Sequence, residues 1–295
     1  MKAFPLHWLR PGDRIHVIAP AGPFDVARFE RGVSRLRERY EVVHHPTITE
    51  RTGYLAGSDR RRTDELRAAL QDEGARGIVA ARGGYGSTRL LEHVSAEEVT
   101  ASPKLLVGFS DITALHALWA RAGLGSIHGP MVATLGGADE TLLSRWVRTV
   151  EGELPQLLEG LTCIAPGQAR GRLVGGNLAV LGALLGTPYA PPLDDCVLFL
   201  EDVGERPYRV DRLLTSMRHA GWLSRVAAVV LGAFTEAPAG PDGVEIDQVL
   251  RERLAELGVP VLSGVPAGHV DDNLELPFGA IARVDAERGS LSFDG

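Results

Sequence analysis

Ser110 follows a short apolar run in the segment LLVGFSDIT, where a strand-like pattern gives way to helical spacing. The hydrolase motif G-x-S-x-G holds a nucleophilic serine on a sharp strand-to-helix turn of this kind. Gly108 supplies the first glycine, but Ile112 stands where the second would be, so the match is incomplete. Serine and aspartate are also preferred helix N-caps, and the segment by itself favours that structural role for Ser110. Cap and nucleophile are therefore the two interpretations of this turn.

A serine nucleophile needs a base within hydrogen-bond reach, because a hydroxyl at its ordinary pKa attacks poorly. Among the nine histidines, His269 stands apart because it lies in a polar loop, GHVDDN, between two apolar runs. Loops carry a large share of catalytic residues, so His269 is the candidate base. A surface histidine without a catalytic role is the alternative. His16, His116 and His219 lie inside strand or helix patterns and are expected to be packing or surface residues.

A carboxylate that could orient the base is Glu201, which ends the apolar run CVLFL and is expected at the carboxyl end of a strand. Asp202 follows it, and the alternation of side chains along a strand directs Asp202 to the opposite face. The alternative is an acidic pair at a strand end that faces water. Metal binding by His269 with Asp271 and Asp272 is disfavoured, because no second group of ligands stands out in the sequence.

A glycine-rich turn follows another apolar run in the segment ARGGYGS, residues 81–87, with three glycines around Tyr85. Glycine permits positive φ and a close approach of backbone N–H groups to a ligand oxygen. The spacing does not match a dinucleotide-binding or phosphate-binding loop. An ordinary tight turn and an oxyanion-binding turn are the two interpretations. The N–H of Asp111 is a second candidate oxyanion donor, because the start of a helix carries partial positive charge.

These residues need a scaffold, and the first half of the chain predicts one. Short apolar runs alternate with amphipathic helical stretches from RIHVIAP to SIHGPM. This order predicts a mostly parallel sheet with helices on both faces. Ligands gather at the carboxyl ends of the strands in such sheets, so Ser110 and the glycine turn are expected at one edge. The arginine run at Arg60, Arg61 and Arg62 is expected on a solvated helix face.

The second half of the chain has fewer helices and more turns. Residues 150–170 are rich in proline and glycine and predict a linker. The segment RGRLVGGNLAVLGALLG predicts a strand and a Gly-Gly turn before an apolar helix, while CVLFLED and RVAAVVLGAF predict buried strands. The last part predicts a strand, the polar loop with His269 and a further strand. A length of 295 residues suits one large domain or two smaller ones.

Composition excludes several classes of protein. The chain is 44% hydrophobic and 23% charged, which are ordinary globular values. A net charge of −7 with scattered basic residues disfavours a nucleic-acid-binding surface. No apolar run is long enough for a membrane span and no secretory signal pattern is present, so a cytoplasmic location is expected. Cys163 and Cys196 have no metal-ligand spacing and are expected to be reduced thiols.

Six segments together resemble, in order and through nearly the whole chain, the sequence blocks of the LD-carboxypeptidases: RGGYGSTRLL, KLLVGFSDITALH, SIHGPM, GRLVGGNLAVLGALLGTPYAP, LFLEDVGERPYRVDRLLTSMRHAG and GVPAGHVDDNLELPFGA. These serine peptidases share a clan with the microcin C self-immunity proteins. The resemblance implies an α/β fold with an N-terminal Rossmann-like parallel-sheet domain over residues 1–155. A linker over residues 156–170 and a C-terminal α/β domain with a β-barrel over residues 171–295 would follow.

The resemblance also implies roles for the residues singled out above. The serine of the family's GFSD falls on Ser110, the glutamate of LED on Glu201 and the histidine of GHxxxN on His269. These three would form a Ser-His-Glu triad that works through an acyl-enzyme. The N–H groups of Asp111 and Gly84 would form the oxyanion hole.

For the substrate, the resemblance implies a cytoplasmic murein tetrapeptide, cleaved at its L,D bond to release the terminal D-alanine in cell-wall recycling. The terminal carboxylate of such a peptide needs a cation, for which Arg82 and Arg206 are both candidates. Tyr85 is a further candidate for substrate binding. We expect no metal, no cofactor, no nucleic acid and no membrane partner, and the resemblance implies a homodimer.

Two other functions compete with this one. The microcin-immunity branch hydrolyses peptidyl- or aminoacyl-nucleotides, but this compact chain shows no long tryptophan-bearing insertion of the kind expected to stack on adenine. That difference favours the murein branch. A non-catalytic two-domain protein that binds a ligand in the same cleft is the other alternative. The complete set of Ser110, Glu201 and His269 argues against it.

Overall fold

A computed structural model describes residues 3–155 and 157–294. Residues 1, 2, 156 and 295 lie outside the described residues; the sequence predictions assign them to the N-terminal domain, the linker and the C-terminal domain. Within the described ranges, no helix has the length and apolar character needed to span a bilayer.

Strands and helices alternate through most of the described chain. The strands are β1 (Arg14–Ile18), β2 (Glu41–His44), β3 (Ala75–Ala80), β4 (Leu105–Gly108), β5 (Ser126–His128), β6 (Thr162–Ala165), β7 (Gln168–Asn177), β8 (Val197–Val203), β9 (Ala228–Thr235), β10 (Val261–Ser263), β11 (Leu276–Phe278), β12 (Ile281–Asp285) and β13 (Ser290–Asp294). The helices are α1 (Val26–Arg37), α2 (Asp59–Gln71), α3 (Ala96–Ala101), α4 (Thr113–Arg121), α5 (Val132–Leu135), α6 (Glu140–Val150), α7 (Leu178–Ala183), α8 (Pro207–His219) and α9 (Ile246–Leu254).

The first sheet has the strand order β11-β5-β4-β3-β1-β2. The neighbours from β5 to β2 pair in parallel, and β11 joins β5 antiparallel. Successive strand residues point into two different hydrophobic clusters: Ile78 and Leu106 into one, Val79 and Val107 into the other. Helices therefore cover both faces, and the predicted mostly parallel sheet is confirmed.

The second sheet has the strand order β13-β12-β7-β8-β9-β10-β6. Strands β7 to β10 pair in parallel, whereas β6, β12 and β13 are antiparallel to their neighbours. The sheet curls into a half-barrel, which is the form that the predicted barrel takes here. Its two edges approach each other where Leu158, just before β6, bridges to Leu291 of β13.

The predicted Gly-Gly turn at residues 175–176 is wrong, because both glycines lie inside β7 and α7 begins directly after Asn177. Their φ angles are 154° and 136°. A Cβ on Gly175 would lie 1.9 Å from the carbonyl oxygen of Phe199 in β8, and one on Gly176 would lie 2.3 Å from Thr113 Oγ1 in α4. Close packing against the neighbouring strand at Gly175 and against α4 at Gly176, rather than a turn, therefore requires these two glycines.

The two halves of the chain are joined by a strand and by a shared hydrophobic cluster. Strand β11 from the second half completes the first sheet beside β5. The described part of the predicted linker includes β6, which pairs with β10 at the edge of the second sheet. One hydrophobic cluster also runs across both halves and includes Trp119 of α4 with Leu178 of α7. The strand that carries Ser110 and the loop that carries His269 are therefore held in one packed body.

Candidate active site

Ser110 lies at the carboxyl end of β4 with a φ of +64°, in the left-handed region that residues other than glycine rarely adopt. Residues 110–112 form one turn of 3₁₀ helix before α4 begins. The helix-cap interpretation is wrong, because Phe109 and Ile112 occupy the N-cap positions and no side-chain cap bond is formed at either. A strained serine on a strand-to-helix turn is the geometry of a nucleophile elbow.

Two glycines make room for this elbow. A Cβ on Gly83, in the neighbouring glycine turn, would lie 2.9 Å from Ser110 Cβ, and one on Gly108 would lie 2.9 Å from the side chain of Ile112. The space beside the serine thus comes from a separate turn of the chain. This explains why Ile112 can occupy the position of the second glycine of the hydrolase motif.

The structure brings Ser110, His269 and Glu201 into one hydrogen-bonded series. His269 Nε2 lies 3.1 Å from Ser110 Oγ, and His269 Nδ1 lies 2.7 Å from Glu201 Oε2. The Glu201 side chain is fully buried, whereas that of His269 is 20% exposed. With Nδ1–H donating to the carboxylate, Nε2 is free to accept the serine proton. The arrangement can therefore activate the Ser110 hydroxyl.

Glu201 and Asp202 point to opposite sides of β8, and neither faces water. The alternative of a solvent-facing acidic pair is wrong, since both side chains are buried. Asp202 accepts hydrogen bonds from Asn177 Nδ2 at 3.0 Å and from the backbone N–H groups of Ala179 and Val203. Desolvation by burial raises the pKa of Asp202 to about 6. Asp202 thus anchors the start of α7, which leaves Glu201 to His269.

The loop that carries His269 is shaped by its neighbours in sequence. Gly268 has a φ of +114°, and a Cβ there would lie 2.7 Å from Glu201 Oε2. The Gly268 N–H donates to Asn273 Oδ1 at 2.8 Å, and Thr235 Oγ1 donates to the His269 carbonyl at 3.1 Å. Only a glycine before the histidine allows the carboxylate and the imidazole to approach each other this closely.

Of the two candidate oxyanion donors, Asp111 directly follows Ser110, and Gly84 follows Gly83, which lies against Ser110. A Cβ on Gly83 would be 3.0 Å from Ser110 Oγ and 3.3 Å from the backbone nitrogen of Asp111, so the glycine turn contacts both residues. Gly84, with a φ of +116°, packs against Gly22. Within residues 3–155 and 157–294, neither the Asp111 nor the Gly84 N–H donates a hydrogen bond to another residue. Both amides are therefore available to a ligand.

Buried charged side chains hold the glycine turn from two sides. The Asp111 carboxylate accepts a hydrogen bond from the Ser87 N–H at 2.8 Å, and desolvation by burial raises the pKa of this carboxyl. Arg62 donates to the carbonyl oxygen of Gly86 at 2.8 Å and to that of Pro20. The backbone of the turn is thereby fixed before any ligand arrives.

The solvated helix face predicted for the arginine run is wrong for two of its three residues. Arg60 is exposed, but the Arg61 side chain is 8% exposed and that of Arg62 is completely buried. Arg62 lies on the same face of α2 as Leu66 and Ala69, which point into the core. This spacing is the sequence signal that could have identified the buried arginine.

An open cleft of about 1180 Å³ lies beside His269 and Phe109. Arg82 lines this cleft, where its Nη1 donates to the Pro23 carbonyl at 2.6 Å. Four acidic residues line the same cleft: Asp25, Asp139, Asp271 and Asp272. In the described chain, no three His, Cys, Asp or Glu side chains are grouped closely enough to hold a metal ion.

The other predicted substrate-binding residues lie away from the lining of this cleft. Tyr85 is half exposed and packs beside Tyr54, with ring centroids 5.8 Å apart. Arg206 is exposed and immediately precedes α8. Arg145 of α6, whose guanidinium reaches the loop after His269, is not among the residues that the sequence predicts for the site. No local pattern marks Arg145, because its partner Glu275 is 130 residues away in sequence.

Comparison with protein families gives two matches. The LD-carboxypeptidase N-terminal domain matches residues 15–129, and the LD-carboxypeptidase C-terminal domain matches residues 170–284. The first range contains Ser110 and the glycine turn, and the second contains Glu201 and His269. The two matched domains thus contribute different members of the hydrogen-bonded series.

Individual proteins are similar over nearly the whole chain. A putative carboxypeptidase of Synechocystis is 41% identical, over 97% of this chain and 95% of that protein. The crystal structure of muramoyltetrapeptide carboxypeptidase from Oxalobacter formigenes is 31% identical, with a TM-score of 0.85 over 95% of this chain and 97% of that one. The structure of MccF in complex with glutamyl sulfamoyl guanosine has a TM-score of 0.86 over 99% of both chains, but at 23% identity it shows the likeness of fold alone.

Proposed function

The chain belongs to the LD-carboxypeptidase family of serine carboxypeptidases, and from this premise we propose that it releases the terminal D-alanine of murein tetrapeptides by cleaving an L,D peptide bond. The observation that carries the proposal is the hydrogen-bonded series of Ser110, His269 and Glu201. Similarity to the muramoyltetrapeptide carboxypeptidase of Oxalobacter formigenes supports the substrate class. The reaction would be a cytoplasmic step of cell-wall recycling.

In the proposed mechanism, His269 Nε2 accepts the hydroxyl proton of Ser110 as Oγ attacks the carbonyl carbon of the scissile bond. Glu201 accepts a hydrogen bond from Nδ1–H, which fixes the tautomer and stabilises the imidazolium that forms. The C–N bond then breaks as His269 returns the proton to the nitrogen of the leaving D-alanine. Water, deprotonated by His269, hydrolyses the ester and regenerates Ser110.

The oxyanion of the tetrahedral intermediate is proposed to bind the N–H groups of Asp111 and Gly84. Both amides are unpaired in the described chain and are fixed by the buried Asp111 and Arg62 side chains. Such preorganised donors are each worth roughly 10²–10³ in kcat. For the carboxylate of the substrate, Arg82 is better placed than Arg206, because Arg82 lines the cleft beside His269.

The proposal is tested by incubating the protein with a murein tetrapeptide and measuring free D-alanine by chromatography. We expect release from the peptide that ends in D-alanine and none from the same peptide ending in L-alanine. Ser110→Ala should abolish release while its circular dichroism spectrum stays that of the wild type. Turnover by folded Ser110→Ala would reject Ser110 as the nucleophile.

Hydrolysis of peptidyl- or aminoacyl-nucleotides is the alternative, and it is decided in the same assay. An amide-linked aminoacyl-nucleotide is offered alone and in competition with the tetrapeptide. We expect the tetrapeptide to be turned over and the nucleotide conjugate to be a poor competitor. Turnover of the conjugate with none of the tetrapeptide would replace the murein proposal. A covalent adduct of Ser110 with a serine-directed reagent would distinguish either enzyme from a binding protein.

The expected homodimer is a separate prediction, checked by light scattering.

A further inference from the structure

Arg145 links the half of the chain that carries Ser110 to the loop that carries His269. It lies on α6, beside Trp146, which is fully buried against the first sheet. Its guanidinium donates to Glu275 Oε2 at 2.8 Å, to the Asn273 carbonyl at 3.1 Å and to the Asp272 carboxylate. One side chain thus makes three hydrogen bonds to residues 272–275, just after the histidine. Fork-like donation of this kind is specific to arginine.

The hydrogen bonds continue from Arg145 to the residue next to His269. Asn273 receives the Arg145 bond on its backbone carbonyl, while its side-chain Oδ1 accepts the N–H of Gly268 at 2.8 Å. Gly268 lies against Glu201, the carboxylate that binds His269 Nδ1. Two hydrogen bonds therefore connect Gly268, the residue before His269, to α6. This helix packs against the sheet that carries Ser110.

The ion pair of Arg145 with Glu275 is costly to bury. The Glu275 side chain is fully buried, and desolvation raises its pKa. Within the described chain, Glu275 Oε1 has no hydrogen-bond partner, so the carboxylate is only partly compensated. Gly129, directly after β5, leaves room for this side chain, because a Cβ there would lie 3.0 Å from Glu275 Cγ. Buried pairs of this kind are often no more stabilising than apolar residues, which suggests a role other than stability.

We propose that Arg145 is a positioning residue for the reaction: it fixes the loop of residues 268–275 to α6 and so sets the distance between His269 Nε2 and Ser110 Oγ. This rests on the proposed role of His269 as the base. Arg145 does not line the cleft in the described chain, so it acts through His269 and not on the substrate.

The first test compares Arg145→Met with Arg148→Met. Arg148 is the matched control, because it lies one turn further along α6 and its side chain, among the described residues, makes only an exposed ion pair with Glu153 at 3.4 Å. The readouts are kcat and KM for D-alanine release and the rate at which a small fluorophosphonate labels Ser110. We expect Arg145→Met to lower both kcat and the labelling rate by roughly 10- to 100-fold, as a misplaced base would, with KM changed little. Arg148→Met should match the wild type.

The second test separates positioning from charge compensation. In Arg145→Met/Glu275→Met both charges of the pair are removed, so no unpaired carboxylate is left buried as it would be in Arg145→Met alone. We expect its labelling rate to stay as low as that of Arg145→Met. Recovery of the wild-type rate would overturn the proposal, because Arg145 would then serve only to neutralise Glu275.

A spectroscopic readout reports on the base directly. The Nδ1–H proton of His269 in its bond to Glu201 should give a low-field NMR signal in the wild type and in Arg148→Met. We expect it to broaden or shift in the double variant, and an unchanged signal together with wild-type labelling would reject the inference. Failure of the proposed function looks different: the wild-type protein would then release no D-alanine, whether or not Ser110 is labelled.

Discussion

At the scale of single residues, Ser110 is the position where chemistry and backbone stability conflict. Its φ of +64° is one that glycine adopts without steric cost. Ser110→Gly should therefore unfold at higher denaturant concentration than Ser110→Ala, with a free energy of unfolding greater by about 1 kcal/mol, although both are inactive. Urea unfolding of the two variants measures the difference. Equal stabilities would show that the left-handed conformation at this residue carries no strain.

A second residue-scale feature is the neutral imidazole of His116 beneath the elbow. Its Nε2–H donates to the Gly108 carbonyl and its Nδ1 accepts from Ser126 Oγ, both at 2.8 Å. Desolvation by burial lowers the pKa of His116 to about 4, below its ordinary value of 6.5. Because the unfolded chain binds this proton more readily, the contribution of His116 to stability is complete above pH 6.5 and is lost as the pH falls through 4.

This linkage predicts a pH-dependent difference between the wild type and His116→Gln, whose amide can still donate to Gly108. Between pH 7 and pH 4, the free energy of unfolding of the wild type should fall by about 3 kcal/mol more than that of the variant. Urea unfolding at several pH values measures both curves. Parallel curves would mean that folding does not lower the pKa of His116.

Each member of the candidate triad has a local signal in the sequence, and the resemblance to the LD-carboxypeptidases selects the three together. Ser110 and Glu201 end apolar runs, and His269 stands in a polar loop between two such runs. Arg62 and Arg145 could not be predicted in the same way. Both act through long side chains that cross to another element, and the partners of such a side chain are set by tertiary packing rather than by spacing.

At the scale of elements, the loop before β11 places its histidine through Gly268. Gly268→Ala should lower kcat strongly, because its Cβ would lie 2.7 Å from Glu201 Oε2 and displace the carboxylate from His269. Gly264→Ala is the matched control: it also has a positive φ, +94°, but a Cβ there meets nothing within 4 Å. Both variants should lose about 1 kcal/mol of stability from backbone strain, and only Gly268→Ala should lose activity. Equal kcat in the two variants would contradict this role of Gly268.

Long elements can be predicted from the local sequence, whereas the sheet positions of short strands cannot. Periodicity predicts the long amphipathic helix α2 and the buried strand β8, because the pattern of apolar residues extends over the whole length of each element. It does not assign the short strands β6 and β11 to their sheets, because three or four residues carry no register information. Their pairing depends on partners far away in sequence, β10 and β5, and β11 even contains Pro277.

At the scale of the whole molecule, the shared cluster and the exchanged strand β11 predict that both halves unfold together. Trp119 and Trp146 lie in the first half and Trp222 in the second. In Trp222→Phe, the remaining tryptophans all lie in the first half, and the thermal midpoint of their fluorescence should coincide with that of far-ultraviolet circular dichroism. Two separated transitions, or a calorimetric trace with two peaks, would contradict this single cooperative unit.

Strand β11 has a further consequence for a chain still being made. Ser110 and His269 are separated by 159 residues, and the sheet of Ser110 gains its last strand only with residues 276–278. At roughly 5–20 residues per second, a ribosome needs about 8–30 s to travel from the serine to the histidine. In the proposed mechanism, the nascent serine has no base throughout that interval. The proposed active site is therefore complete only when translation has passed both halves.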